Sequence, residues 1–187
     1  LGGLTGAQTD AAIASAMATW DAENCSNLPI TRNFAPGTDL GFTAWWFFGV
    51  VGSPVVAADI MHAGWRDLNF AGGIIGVTFT WIWVGPGGPT DVDANGKLDV
   101  AFRDIYYDPS WVWQIGSTID VETIALHEAG HGLSQAHFGK VFVTNSNGKL
   151  HFSPRAVMNA VYGGVEQQLL GTDTGGHCSI WANWPNH

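Results

Sequence analysis

The sequence predicts an α+β protein in which a twisted sheet lies above one functional helix. Residues 76–84 and 98–107 have the length and the β-branched and aromatic content of strands. A helix of about residues 121–133 follows them, and Asp120 is placed to cap its N-terminus. A mixture of strands followed by helices is typical of the α+β class.

The N-terminal segment predicts one more helix and one more strand. Residues 7–24 place Ile13, Met17 and Trp20 at spacings of four and three, which indicates an amphipathic helix, and we expect Thr9 or Asp10 to cap it. Residues 28–34 then alternate like a strand.

Residues 36–75 are rich in Gly and Trp and give a weaker pattern. We expect a strand near residues 55–61, with turns at residues 52–54 and at Gly72-Gly73. Residues 85–89 and an acidic loop join the two clear strands. Beyond residue 137 the chain is loop-rich, with a hairpin expected around residues 145–148. We find no repeat or linker and expect a single domain over residues 1–187.

Composition restricts the class of protein and its partners. The chain is 46% hydrophobic and 12% charged, as expected for a globular domain, and no apolar run reaches the length that spans a bilayer. The net charge of −9 repels phosphate groups, so we expect neither nucleic acid nor a membrane as a partner. We expect the protein to be a monomer.

Residues 127–137 read His-Glu-Ala-Gly-His-Gly-Leu-Ser-Gln-Ala-His and predict a metal site. On a helix, His127 and His131 project from the same face and can bind one ion. His137 follows after a gap that lets the helix end and the chain turn back. Three imidazoles leave one position of a tetrahedral zinc ion for water, which is the arrangement of a catalytic zinc site.

Glu128 is the expected general base, because its carboxylate beside the first ligand can take a proton from the zinc-bound water. The alternative is a buried helix whose histidines are satisfied by hydrogen bonds. Three histidines in register with an adjacent Glu favour the metal site over that alternative.

The run resembles the zinc signature of the metzincin metalloproteases, nearest the matrixin-like bacterial branch. Residues 156–162, Ala-Val-Met-Asn-Ala-Val-Tyr, are similar to the Met-turn of that family, with Met158 as its methionine and Tyr162 as the matrixin-like tyrosine. The glycine that follows the second ligand in the family is Ser134 here. Either Ser134 accepts a left-handed conformation or the turn differs locally.

The resemblance implies a metzincin-like catalytic domain with a twisted mixed sheet, an active-site helix, a Met-turn and a C-terminal helix near residues 170–181. It implies a zinc-dependent endopeptidase that hydrolyses peptide bonds in protein or peptide substrates. Met158 would form a hydrophobic floor under the zinc. The loop between His137 and Met158 would shape the pocket for the side chain after the scissile bond.

An acidic loop predicts a second, structural metal. Oxygen-bearing side chains alternate along residues 91–99, and a calcium ion would be bound by Asp91, Asp93, Asn95, the backbone carbonyl of Lys97, and Asp99. Phe102 occupies the twelfth position, where a complete EF-hand has Glu, so Asp104 is a candidate for the missing oxygen. The alternative is an Asn-Gly turn with solvated aspartates.

The two cysteines, Cys25 and Cys178, lie near opposite ends and have no metal-type spacing. In a secreted protein they would form one disulfide; the alternative is two buried thiols in a cytosolic enzyme. We expect a secreted, extracellular protein. The N-terminus has no leader pattern, which predicts a processed form that begins at Leu1.

The tryptophans leave a function of another class open. Ten Trp residues are many for this length, and a calcium-dependent, Trp-rich glycan-binding module with a structural histidine cluster is the main alternative. A third possible function is that of an inactive, zinc-binding relative of the metalloproteases. Tryptophans are more often packing residues than a ligand platform, so the enzyme is favoured.

Overall fold

The structure, a computed structural model, describes residues 2–32, 41–49, 58–67 and 70–185. These residues form helices together with small sheets, which confirms the α+β class. They divide into two compact units, residues 1–30 with 111–186 and residues 31–110. The single domain over residues 1–187 stays a prediction. Within the described ranges, no helix has both the length and the apolar character needed to cross a membrane.

The described helices are α1 (Gly6–Asp21), α2 (Phe42–Phe48), α3 (Val121–Gly132) and α4 (Gly171–Trp181). The described strands are β1 (Ile60–Trp65), β2 (Gly76–Ile82), β3 (Val84–Gly85), β4 (Gly88–Pro89), β5 (Val100–Tyr107), β6 (Trp113–Gln114), β7 (Ile119–Asp120), β8 (Lys140–Val143) and β9 (Leu150–Ser153).

In the first unit, α1 packs against α3. The buried indole of Trp20 on α1 donates its Nε1–H to the carbonyl of Leu126 on α3 at 2.9 Å, which satisfies the polar end of a large apolar ring. Cys25, just after α1, is joined to Cys178 on α4 by a disulfide. The predicted disulfide is confirmed, and it closes a loop of 153 residues in sequence.

The predicted cap of the first helix is wrong. Thr5 is the N-cap: its hydroxyl accepts from the Gln8 N–H at 3.3 Å, and the Gln8 side chain accepts from the Thr5 N–H at 2.9 Å. This reciprocal capping box satisfies two donors that the first turn leaves free, so the helix begins before Thr9. The Thr9 hydroxyl instead donates to the Gly6 carbonyl inside the helix.

The first unit also confirms two elements near the C-terminal end. Strands β8 and β9 pair antiparallel around the predicted turn at residues 145–148. Helix α4 occupies the predicted region at residues 170–181. Asp120 caps α3 as expected, because its Oδ2 accepts from the Thr123 N–H at 2.9 Å.

The second unit has a three-stranded sheet in the order β1-β5-β2, with β1 parallel and β2 antiparallel to the central strand. Residues 102–107 of β5 are buried, as a central strand requires. The strand predicted at 55–61 begins only at Ile60, and residues 55–57 lie outside the described part. The other predicted strand, at residues 28–34, does not form over residues 28–32, and residues 33–34 lie outside the described part of the chain.

Helix α2 was not predicted, and its N-terminus explains the buried Asp104. The Asp104 carboxylate accepts from the backbone N–H and the hydroxyl of Thr43 at 2.7 and 2.8 Å. A carboxylate there satisfies free donors of the first turn. Asp104 is fully buried and its Oδ2 faces Thr43, and the suggestion that it supplies an oxygen to the calcium site stays a prediction.

Candidate metal centre

Three imidazoles from the first unit meet at one point. The Nε2 atom of His137 lies 3.0 Å from the Nε2 atoms of both His127 and His131. Residues four apart on α3 are separated by only about 40° around the helix axis, so His127 and His131 present the same face. This group could hold a metal ion.

The hydrogen bonds of the two helical histidines orient their Nε2 lone pairs toward that point. His127 donates Nδ1–H to the Val157 carbonyl at 2.7 Å, and His131 donates Nδ1–H to the Gln135 carbonyl at 2.8 Å. Because a carbonyl only accepts, the proton of each neutral ring is on Nδ1 and each Nε2 is bare.

A bound cation would account for this close approach. If all three rings are neutral, at most one proton, on His137, lies among the three Nε2 atoms, and it cannot satisfy both neighbours. Tetrahedral zinc with bonds of about 2.0–2.1 Å would place two nitrogen ligands about 3.3 Å apart, close to the observed 3.0 Å. The donor set therefore fits zinc, and the carbonyl partners are those that metal-binding histidines ordinarily have.

Burial favours the neutral, metal-binding form of two of the three histidines. It lowers the pKa of His127 to about 4, although the hydrogen bond to Val157 opposes this shift. Burial also lowers the pKa of His137. The neutral imidazole is the form with a free lone pair, so at neutral pH His127 is ready to bind a metal without first losing a proton.

Glu128 lies next to the first histidine on α3. Its side chain is only 4% exposed. By helix geometry it projects about 100° from His127 and about 60° from His131, so it lies on the border of the face with the two imidazoles. A buried carboxylate at this place is suited to hold or move a proton beside the three nitrogens.

Met158 packs under α3. Its side chain is 0% exposed. A Cβ on Gly130 would overlap the Met158 sulphur and would approach the Trp20 ring to 3.0 Å. Gly130 therefore permits the close approach of Met158 and Trp20 to α3, one residue before His131.

Asp173 on α4 was not singled out from the sequence, yet it fixes the backbone of the predicted Met-turn, residues 156–162. Its carboxylate accepts from the backbone N–H groups of Val157 and Met158 at 2.9 and 3.0 Å, and from Leu170 at 3.0 Å. The side chain is fully buried. The bonds to Val157 and Met158 hold the peptide whose Val157 carbonyl accepts from His127, and they therefore link α4 to the site.

Tyr162, at the end of the predicted Met-turn, contacts the segment before α3. Its hydroxyl donates to the Thr118 carbonyl at 2.6 Å and accepts from the Asp120 N–H at 3.3 Å. Burial raises the pKa of Tyr162, so the phenol keeps its proton at neutral pH. Tyr162 thus contacts the segment that caps α3.

Ser134 has a left-handed backbone, with φ of 69°. Of the two alternatives for this turn, the structure has the first, in which a non-glycine residue adopts the angle that glycine favours. The turn ends α3 because the Gln135 N–H donates back to the Gly130 carbonyl at 2.8 Å. It brings Gln135 under His131 and redirects the chain toward His137.

Replacing Ser134 with Gly should leave zinc binding intact and should raise the free energy of unfolding by up to about 1 kcal/mol, or leave it unchanged. Relief of the left-handed strain offsets the greater unfolded entropy of glycine. Urea denaturation measures the change. Ser146→Gly is the control, because Ser146 lies in an exposed turn and its φ is not positive. This substitution relieves no strain, so it should destabilise the protein. A decrease of about 1 kcal/mol or more in the free energy of unfolding of the Ser134→Gly variant would contradict backbone strain at Ser134.

The acidic loop of the second unit is organised by hydrogen bonds between its own side chains and its backbone. The Asp91 carboxylate accepts from the N–H groups of Asn95 and Gly96 at 3.0 and 2.9 Å. The Asn95 side-chain oxygen accepts from Lys97 N–H at 2.8 Å, and Asp99 accepts from Val92 N–H at 3.0 Å. These bonds are those of a tight turn, and calcium binding by Asp91, Asp93, Asn95, Lys97 and Asp99 stays a prediction.

If calcium binds the loop, its removal or Asp93→Ala should lower the melting temperature. A ligand that binds only the native state adds RT ln(1 + [L]/Kd) to the free energy of unfolding. If the protein has the endopeptidase activity that its motif suggests, the same change should also speed self-digestion near residues 85–99. Thermal melting with calcium and with a calcium chelator measures the effect. A melting temperature that does not respond to calcium would show that the loop is only a turn.

One further group of metal-type side chains occurs among the described residues. The Glu23 carboxylate lies within 4.8 Å of the sulphurs of Cys25 and Cys178. Both sulphurs are joined in the disulfide, so they are not thiolate ligands. The histidine group is therefore the better metal site in the described part of the chain.

The chain matches no model of a known protein family, and no curated protein matches its sequence. The metzincin resemblance therefore depends on the residues of the motif and of the Met-turn.

Proposed function

We propose that the protein is a secreted zinc endopeptidase of the metzincin class, nearest the matrixins. The observation that carries this proposal is the convergence of three imidazoles, in which the Nε2 atoms of His127 and His131 each lie 3.0 Å from that of His137. A buried Glu128 beside the first ligand and a buried Met158 beneath the helix support it further. The disulfide supports secretion, because such bonds persist in oxidising compartments.

Each residue of the site would have a separate task in peptide hydrolysis. The three histidines would hold zinc, which when bound supplies a Lewis acid and lowers the pKa of water. Glu128 would accept a proton from the attacking water and then donate it to the nitrogen of the leaving amine. The Val157 and Gln135 carbonyls would keep His127 and His131 in the tautomer that binds metal.

The segment between His137 and Met158 would contact substrate. Its hairpin exposes Phe142, Val143 and Leu150, so it offers apolar surface to a substrate side chain. Calcium bound to the acidic loop would stabilise the native fold without taking part in hydrolysis.

Aromatic side chains of the second unit favour one alternative function. Trp46, Phe47 and Trp83 are between 60% and 65% exposed, which suits a Trp-rich surface that stacks on sugar rings. This module would bind glycans and would need the histidine cluster only for structure.

Casein hydrolysis distinguishes the two functions. For the enzyme we expect cleavage that a zinc chelator abolishes and that added zinc restores. Glycan binding without any proteolysis, measured on the same preparation, would select the module instead.

A further inference from the structure

The third histidine lacks the direct anchor that the other two have. His127 and His131 are each fixed by an Nδ1–H that donates to a backbone carbonyl. His137 is exposed, and within the described part of the chain its ring forms contacts of hydrogen-bond length only with those two imidazoles. Its position must therefore come from the backbone on which it is carried.

The residue after His137 is held at both of its backbone groups. The Phe138 N–H donates to the Met158 carbonyl at 3.2 Å, and the Phe138 carbonyl accepts from Nδ2 of Asn159 at 2.9 Å. Both partners belong to the Met-turn. The backbone that carries the third histidine is thus fastened to the turn that lies under α3.

Both ends of the Asn159 side-chain amide form hydrogen bonds, and these bonds allow only one orientation of the amide. Nδ2 also donates to the Pro154 carbonyl at 3.1 Å, while Oδ1 accepts from the Ala156 N–H at 2.9 Å. Two carbonyls on one side and an N–H on the other settle which atom is nitrogen. The side chain is 5% exposed, so water cannot easily replace these partners.

Gly139 shows how closely the backbone approaches the amide. A Cβ at this position would lie 2.7 Å from Asn159 Nδ2 and 3.0 Å from the Pro154 carbonyl oxygen, and its φ is +83°. Only glycine fits here without a shift of the amide or the backbone. The backbone just after Phe138 therefore packs closely against the Asn159 amide and the Pro154 carbonyl.

We propose that Asn159 is a positioning residue that sets the third metal ligand, His137, through the backbone of Phe138. This inference rests on the proposed metal site and adds a residue that does not touch the metal. It predicts that loss of the Asn159 amide weakens metal binding only as long as His137 is present.

A double-mutant cycle on zinc affinity tests this role. Asn159→Ala should weaken zinc binding by about 10- to 100-fold, as is usual when an outer partner of a metal ligand is lost. In a His137→Ala background the same change should alter the affinity by less than about threefold, because the ligand through which it acts is absent. Competition with a chromogenic chelator measures all four affinities, and thermal melting reports folding.

Two controls separate a positioning role from a loss of structure. Asn147→Asp changes an exposed Asn of the adjacent hairpin and should leave zinc affinity unchanged. If Asn159→Ala does not fold, Asn159→Ser replaces it, because its hydroxyl can still accept from Ala156 but cannot reach Phe138. Cobalt(II) in place of zinc should show an altered visible spectrum in the Asn159 variant.

Equal losses of affinity in the two backgrounds, or no loss with His137 present, would overturn the inference. The failure of the proposed site gives a different result: the unmodified protein would not bind one zinc ion per chain.

Discussion

Glu128→Ala should retain zinc and the fold while lowering turnover of casein by about 100- to 10,000-fold, the range that general acid-base catalysis contributes. The change removes the proton acceptor without removing a nitrogen ligand, so kcat should fall while metal content stays constant. Metal analysis and initial rates on the same preparation measure both quantities. Glu128→Gln should give the same loss with less disturbance of packing, because it keeps the volume of the buried side chain.

The matched control for this prediction is Glu122→Ala. Glu122 lies on the same helix, where its carboxylate accepts a hydrogen bond from the Ser15 hydroxyl at 2.6 Å. It is in the first turn, away from the three imidazoles, so its removal should leave turnover nearly unchanged. Turnover of Glu128→Ala close to that of the Glu122 variant would eliminate Glu128 as the base.

His137→Ala should weaken zinc binding by at least about 100-fold and abolish casein hydrolysis. Only two nitrogens then remain, and loss of a ligand itself should cost more than the roughly 10- to 100-fold typical for loss of a ligand's partner. Chelator competition measures the affinity.

His151→Ala is the control for this substitution, because its ring lies on the hairpin beside Phe142 and near the Thr144 hydroxyl. It should leave the zinc affinity unchanged. Unchanged zinc affinity in the His137 variant would show that the third ligand lies elsewhere.

Elements with a strong local pattern were predicted closely, whereas elements set by distant contacts were not. The limits of α3 follow from Asp120 and the apolar spacing before His127. Helix α2 was missed because its residues, Phe-Thr-Ala-Trp-Trp-Phe-Phe, give no polar face, and its N-terminus is capped by Asp104, far along the chain. The first helix was placed well, but its capping box at Thr5 and Gln8 was overlooked.

The candidate site shows the same division. Spacing alone was enough to single out His127, His131 and His137, because the first two share a helix and the third follows after one turn. Sequence does not determine the φ of a non-glycine residue, so for Ser134 it allows either a left-handed conformation or a locally different turn. Asp173 and Asn159 gain their roles only through contacts with Val157, Met158 and Phe138, and these contacts require the folded chain.

The most direct measurement is a titration of metal-depleted protein with zinc while casein cleavage is followed. We expect no cleavage without metal, a linear rise in rate with added zinc, and a plateau at one zinc ion per chain. The Glu128→Ala variant should bind the same single ion and remain inactive. Cleavage by the metal-free protein, or no cleavage at any zinc concentration, would contradict a zinc endopeptidase built on His127, His131 and His137.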